Sequence, residues 1–270
     1  MNFIKKIKIR FKKYRNEEIK EEKFGWSGIY DSWAEAEKYS IGYEGKHILE
    51  KCKKSLLKLK KGEAVFERDG VLFDKVQYNW VLLSFLQKSI IFNKGELNLL
   101  DFGGSLGSSY FQSKLFLEGV KTINWCIIEQ DHFVTSGKHH FENKELKFFY
   151  TIEESAKIIK PNIILLSGVL QYIEKPYELL KELKQLSAQY IVIDRLSINE
   201  TDKDIVSVQN VDPQFYATKL CNWFFSLPKL IDYMKNEYEL VLIDHSYAEN
   251  KITIDNTLQC DFKIVIFKKK

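Results

Sequence analysis

The stretch Leu97–Ser109 reads LNLLDFGGSLGSS and sets out a buried strand, a glycine turn and a helix start in unbroken succession. Leu97, Leu99, Leu100 and Phe102 form a short apolar run, the pattern of a parallel strand covered on both faces. Gly103, Gly104 and Gly107 relieve the steric cost of a sharp turn and let backbone N–H groups approach a ligand. From Ser108 the spacing turns helical, with Phe111, Leu115 and Gly119 on one side. The free amides and dipole at that helix start favour an anionic group.

The glycine spacing and the residues that follow it discriminate between nucleotide cofactors. A dinucleotide turn wants G-x-G-x-x-G, and from Gly103 this chain offers Gly103, Ser105 and Ser108 at those three places. The acidic pattern D/E-x-G-x-G-x-G of S-adenosylmethionine (SAM) methyltransferases fits better: Asp101, Gly103 and Gly107 are in place, and Ser105 stands where the middle glycine belongs. A second apolar run, Ile123–Ile128, ends at Glu129. An acid there accepts hydrogen bonds from both ribose hydroxyls. Both cofactor classes use such an acid, so Glu129 indicates a nucleoside without choosing between them.

Downstream, strand and helix alternate. Helical stretches are expected around Phe133–Phe141, Glu153–Ile159 and Pro228–Asn236. Strands are expected at Leu146–Tyr150, Asn162–Ser167, Tyr190–Asp194, Glu239–Asp244 and Cys260–Phe267. Only a polar loop joins the last two strands. It is too short for a crossover helix, so they must pair antiparallel.

Three segments carry a family resemblance: LLDFGGSLGSSYFQ (99–112), IEQDHFV (128–134) and ILLSGVLQYIEKPYELL (164–180). Together with FGWSGIYDSWAEA (24–36), GEAVFERDGVLFD (62–74), IVIDR (191–195) and NWFFS (222–226), they resemble a family of class I SAM-dependent methyltransferases encoded among bacterial surface-polysaccharide and glycan genes. The resemblance runs from about Phe24 to the C-terminus. It implies an α/β fold, a Rossmann-like, doubly wound, seven-stranded sheet with an antiparallel last strand, preceded by an N-terminal helical extension. On this reading residues 1–23 are a charged N-terminal segment, 24–96 a helical cap region and 97–270 the SAM-binding domain.

The composition suits one modest enzyme. At 270 residues and a net charge of +4, the chain supports one substantial core. It has neither a zinc-finger spacing nor an arginine-rich stripe, and nucleic acid is not indicated. Cys52, Cys126, Cys221 and Cys260 are scattered and read as reduced thiols of a cytoplasmic protein. No apolar run approaches the ~20 residues needed to span a bilayer. Phe3, Ile4, Ile7, Phe11 and Tyr14 recur near helical spacing within a basic stretch, so residues 1–15 suit either weak contact with an anionic membrane surface or a solvated helix on its own domain.

The resemblance assigns the cofactor, SAM, to Asp101, Gly103, Gly104, Ser105, Gly107, Ser108, Glu129, Gln130 and Ser167. Methyl transfer from a sulfonium needs an aligned acceptor, exclusion of water and, for a hydroxyl, removal of a proton. The acceptor face of such a sheet lies beyond the C-terminal tips of its strands. Asp194 and Tyr172 are therefore the catalytic candidates. For Asp194, a role on the acceptor and neutralisation by neighbouring Arg195 stand side by side. Arg68, Tyr78, Gln171, Arg195 and Trp223 are candidates for a small, sugar-like acceptor. A salt bridge for Arg68 and ordinary core packing for Trp223, Phe224 and Phe225 remain open. Phe215 and Tyr216 belong to the same aromatic insertion. His132 is placed beside the adenine or at the start of its helix. His139, His140 and His245 read as surface residues, and no metal site is expected. Many members of the family carry histidines where this chain has Gln171 and Tyr172, which removes an obvious imidazole base. A nucleoside-binding protein without transfer activity is the alternative, and the glycine spacing and terminal hairpin disfavour a nicotinamide-dependent oxidoreductase.

Overall fold

The central strands alternate side chains between two apolar layers, as the period of a strand requires. In the computed structural model, which describes residues 24–41, 46–212 and 218–270, Leu97, Leu99, Trp125, Ile127, Ile163, Leu165, Val192 and Ile266 face one core. Leu100, Ile128, Ile164, Leu166, Ile191, Ile193, Val265 and Phe267 face the other. Both faces of the sheet must therefore be covered by helices.

In chain order the elements are β1 (Gly25–Tyr30), α1 (Trp33–Glu37), α2 (Lys46–Lys60), β2 (Phe66–Arg68), β3 (Val71–Phe73), α3 (Trp80–Phe92), β4 (Glu96–Phe102), α4 (Ser108–Ser113), β5 (Thr122–Ile128), α5 (Asp131–His140), β6 (Leu146–Phe149) and α6 (Ile152–Ala156). There follow β7 (Ile163–Ser167), α7 (Pro176–Gln185), β8 (Tyr190–Asn199), β9 (Ile205–Val211), β10 (Thr218–Ser226), α8 (Leu227–Met234), β11 (Tyr238–His245), β12 (Ile252–Ile254) and β13 (Leu258–Lys269). Short 3-10 turns occupy Lys114–Leu117 and Leu170–Tyr172.

The sheet contains the path β6-β5-β4-β7-β8-β13-β11. Its first five strands are mutually parallel, and β13 runs antiparallel between β8 and β11. The expected closing hairpin is present, and the path is the Rossmann-like sheet of the class I methyltransferase fold. Helices α2 and α3 pack on the first core; α7, through Leu179, Leu180 and Leu183, and α8, through Leu230 and Met234, pack on the second. No helix among the described residues is long and apolar enough to cross a membrane.

Three features differ from the sequence reading. The region before β4 is not helical throughout: a turn at Asp69-Gly70, with φ 51° and 75°, closes a hairpin of β2 and β3, and β1 pairs antiparallel with β9. The aromatic insertion after the fifth strand is a hairpin, β9–β10, whose last residues pair parallel with the far half of β8. This enlarges the sheet to eleven strands. Leu115 is 59% exposed rather than buried, because the chain tightens to a 3-10 turn after α4; Tyr110 and Leu117 take the inward positions. Residues 1–15, Phe215 and Tyr216 lie outside the described residues.

Gly137 lets α5 approach β6: a Cβ added there would stand 2.5 Å from the ring of Phe148, which is itself 1% exposed. Alanine ordinarily favours a helix over glycine by about 1 kcal/mol, but overpacking a closed core costs about 1–3 kcal/mol. Gly137→Ala is therefore expected to lower the urea unfolding midpoint, and an unchanged or higher midpoint would show that the contact relaxes freely.

Candidate functional site

The glycine turn is built around a buried acid. Asp101, 1% exposed, accepts the indole N–H of Trp125 on Oδ2 at 3.0 Å, while its Oδ1 has no partner. A Cβ on Gly104 would stand 2.5 Å from that carboxyl group, and a Cβ on Gly103 2.4 Å from Val169. Gly103, Ser105 and Gly107 all have positive φ, at 71°, 53° and 103°. Ser105 thus adopts the left-handed backbone that a glycine takes more readily. The Gly103 N–H donates to the Ile128 carbonyl at 2.9 Å and ties the turn to the tip of β5.

Glu129 begins where β5 ends and closes the same turn from the other side. Its carboxylate accepts the Ser105 N–H at 3.2 Å and the Gln130 N–H at 2.8 Å. Each oxygen retains a further lone pair. Burial pushes the Glu129 carboxyl up, and the two backbone donors oppose the shift. Burial likewise pushes Asp101 up to about 7, with the Trp125 donor opposing and the neighbouring Glu129 adding to the rise.

Glu67, on the β2–β3 hairpin, is a third acid at this end of the sheet. Fully buried, it accepts the Gly70 N–H at 2.7 Å and the Ser108 hydroxyl at 2.6 Å. Gln112 donates to its backbone carbonyl at 2.7 Å. The β2–β3 hairpin is thereby fastened to the start of α4. Burial pushes Glu67 up to about 7, against the pull of those two donors. The sequence signal available was an acid two residues before the Asp69-Gly70 turn, whose backbone needs an acceptor.

The second group of candidates gathers where β7 ends beside β8. Ser167 and Asp194 are register partners, and the Ser167 hydroxyl donates to Asp194 Oδ2 at 2.8 Å. Asp194 is 2% exposed, and burial pushes it up to about 6. Arg195, which has φ 56°, turns its guanidinium away to grip Asp69, at 3.2 and 2.7 Å, and Glu249, at 2.5 Å. Asp194 forms no salt bridge with Arg195, but the neighbouring guanidinium charge still opposes the upward push of burial on Asp194. The Arg195 guanidinium holds the exposed Asp69 carboxyl below the usual carboxylate range.

The remaining candidates divide between this neighbourhood and others. Arg68 donates to Gln77 at 2.7 Å and lies over the rings of Phe73 and Tyr247, at 4.8 and 5.4 Å. Gln171, 4% exposed, donates to the Arg195 carbonyl at 3.1 Å. The Tyr172 hydroxyl donates to Gln209 on β9 at 2.8 Å. Tyr78 joins an aromatic cluster with Phe116 and Trp80. Trp223 donates to the Ile173 carbonyl, stacks on Trp33, and lines a concavity of about 330 Å³ shared with Tyr177, Asp204 and Lys229. His132 lies beside Phe133, its Nε2 buried without a partner. Tyr247 and Glu249 come from the polar loop before β12, a segment in which no sequence pattern marks a site.

No protein-family model and no curated protein matches the chain. Among solved structures it is similar to the N-terminal domain of EvdMO1 with SAH bound, at 16% identity over 84% of this chain and 100% of that one, TM-score 0.45. It is also similar to a SAM-dependent methyltransferase from Clostridium acetobutylicum, at 11% identity over 78% and 94% of the two chains, TM-score 0.43. A third is magnesium protoporphyrin IX methyltransferase (ChlM) from Synechocystis with bound SAM, at 9% identity over 71% and 79%, TM-score 0.43.

The raised pKa of Glu67 gives stability a definite pH slope. A carboxyl whose folded value lies above its unfolded one stabilises the fold while protonated, and that contribution is lost as pH rises from about 4.5 to about 7. Glu67→Gln keeps an acceptor for the Gly70 N–H and does not titrate. Its unfolding free energy is expected to fall less steeply than wild type between pH 5 and 8, by on the order of 1–3 kcal/mol over the window. Parallel urea-midpoint profiles for the two proteins would assign the slope to other groups.

Proposed function

We propose that this chain is a SAM-dependent methyltransferase acting on a nitrogen or oxygen of a small sugar or activated sugar intermediate in cell-surface or flagellar glycan synthesis. The sugar and its setting rest on the family resemblance. The observation that carries the cofactor reading is the carboxylate of Glu129, fixed to the glycine turn through Ser105 and retaining lone pairs for a ribose diol. The unpartnered Oδ1 of buried Asp101 and the tight Gly103-Gly104 backbone suit the same occupant: buried polar atoms call for partners, and glycines allow close approach.

SAM supplies a methyl group already activated on sulfonium. This chain's residues bind and orient: Glu129 receives the ribose hydroxyls, and the turn from Gly103 to Ser108 presents backbone N–H groups and Oγ to the rest of the cofactor. Asp194, within β8 and opposite the last residue of β7, holds the acceptor and takes its proton where the acceptor is a hydroxyl. The Asp69–Arg195–Glu249 contacts draw the β2–β3 hairpin and the loop before β12 over the strand tips and exclude water.

A charge-assisted hydrogen bond is worth about 1.5–3 kcal/mol. Glu129→Ala is accordingly expected to weaken SAM binding roughly 10–100-fold by calorimetry, with circular dichroism unchanged. Wild type should bind SAM and its demethylated product in preference to NAD or NADP. Tighter binding of NAD, or a folded Glu129→Ala protein of undiminished SAM affinity, would remove the nucleoside from this turn.

A further inference from the structure

Two jaws of different character meet over the tips of β4 and β7. The β2–β3 hairpin is pinned from below. Glu67 accepts the Gly70 N–H at 2.7 Å and the Ser108 hydroxyl at 2.6 Å, Gln112 donates to its carbonyl, and the Ser55 hydroxyl donates to the Gly70 carbonyl at 2.7 Å. A Cβ on Gly70 would stand 3.3 Å from Cys52 on α2, so the hairpin turn is seated against that helix. Opposite it, the loop between β11 and β12, residues 246–251, contains neither helix nor strand. Its internal bonds make it one unit: the Ser246 hydroxyl donates to Glu249 and accepts the Ala248 N–H at 3.2 Å.

Arg195 joins the jaws. Its Nη1 and Nη2 donate to Asp69 on the hairpin at 3.2 and 2.7 Å, and its Nε donates to Glu249 on the loop at 2.5 Å. A second contact crosses the same line, where the Arg68 guanidinium lies 5.4 Å from the centre of the Tyr247 ring. The Arg195 guanidinium also rests on a strand tip: a Cβ on Gly168 would stand 3.2 Å from Nη1, and the next residue, Val169, is the one that closes on Gly103. Because β7 lies between β4 and β8, the guanidinium stands over the space between the glycine turn and Asp194. The two halves of the bridge are unequal. The side chain of Asp69 is 53% exposed, those of Arg195 and Glu249 17% and 19%. Water and salt weaken the exposed half most, and Arg195, held at φ 56°, has an unstrained backbone open to it once that half parts.

Resting on the methyltransferase reading above, we propose that the Asp69–Arg195 ion pair is the latch of a gate through which SAM enters and its demethylated product leaves. The Arg195 side chain and residues 246–251 swing as one lid, and the hairpin stays on the cofactor turn. Parting the jaws between Asp69 and Arg195, and between Arg68 and Tyr247, opens the strand tips without breaking the bonds of Glu67. A latch that makes the same contacts in the loaded and the empty protein cancels from the affinity and acts only on rates.

In the test, the full chain is immobilised, S-adenosylhomocysteine is passed over it, and both rate constants are read by surface plasmon resonance. Asp69→Asn keeps the size of the side chain and suits a turn of positive φ while removing the charge. It is expected to raise association and dissociation rates together, roughly 5-fold, as the loss of an exposed ion pair allows, with Kd within about twofold. Raising sodium chloride from about 0.05 to about 1 M should quicken both rates of the wild type and leave those of Asp69→Asn unmoved. Tyr247→Leu removes the ring but not the ion pair; it should quicken both rates about threefold and keep the salt response, and unchanged rates there would strike Tyr247 from the parting line. Unchanged rates in Asp69→Asn, or a Kd that rises while association is unaltered, would overturn the gate and leave the cofactor reading standing. Absence of binding to the wild type would overturn that reading and the gate with it.

Discussion

The left-handed backbone of Arg195 separates two adjacent side chains, and the surroundings of Asp194 depend on that separation. Had residue 195 shared the extended backbone of the rest of β8, its side chain would have emerged on the opposite face from Asp194. With φ 56° it instead reaches across to Asp69 on the β2–β3 hairpin and Glu249 before β12. A non-glycine residue in this region carries strain of order 1–3 kcal/mol, and two ion pairs hold it there. A buried ion pair is weak evidence for stability, because desolvation offsets its Coulomb gain. What these pairs set is position: three segments remote in sequence meet over one strand tip.

Local spacing made the core of the fold legible. β4, its glycine turn, β5 and Glu129 are contiguous, and the apolar runs of β7 and β8 announce strands covered on both faces. The antiparallel closure followed from loop length alone. β1 was hidden because GWSGIY, with glycines at its first and fourth positions, lacks strand alternation, and its partner β9 lies far away along the chain. β9 and β10 were masked by aromatics that serve as packing: Trp26, Phe224 and Phe262 meet edge-on or tilted in a small separate core.

The site was legible where one motif encodes it and obscure where several segments assemble it. Glu129 and Ser105 meet as the turn predicts. Glu249 and Tyr247 sit in a loop whose composition is ordinary. Trp223 was selected for a type of side chain that suits sugars, but its indole N–H is spent on the Ile173 carbonyl and its ring on Trp33.

Four carboxyl groups, those of buried Glu67, Asp101 and Asp194 and of half-buried Glu129, gather at one end of the central sheet, and desolvation raises the pKa of each. None of the four forms an ion pair with Lys, Arg or His among the described residues. A fold selected for stability alone would pair or remove such groups, since a buried charge without a partner is among the costliest features a core can contain. The proposed cofactor gives the arrangement a rationale. A sulfonium carries positive charge but no N–H, so it cannot be recognised by accepting its hydrogen bonds and must be held by the field around it. Desolvation, which makes these carboxylates costly to the empty protein, also lowers the local dielectric and strengthens their attraction for a cation. The instability is therefore concentrated where a charged ligand reverses it.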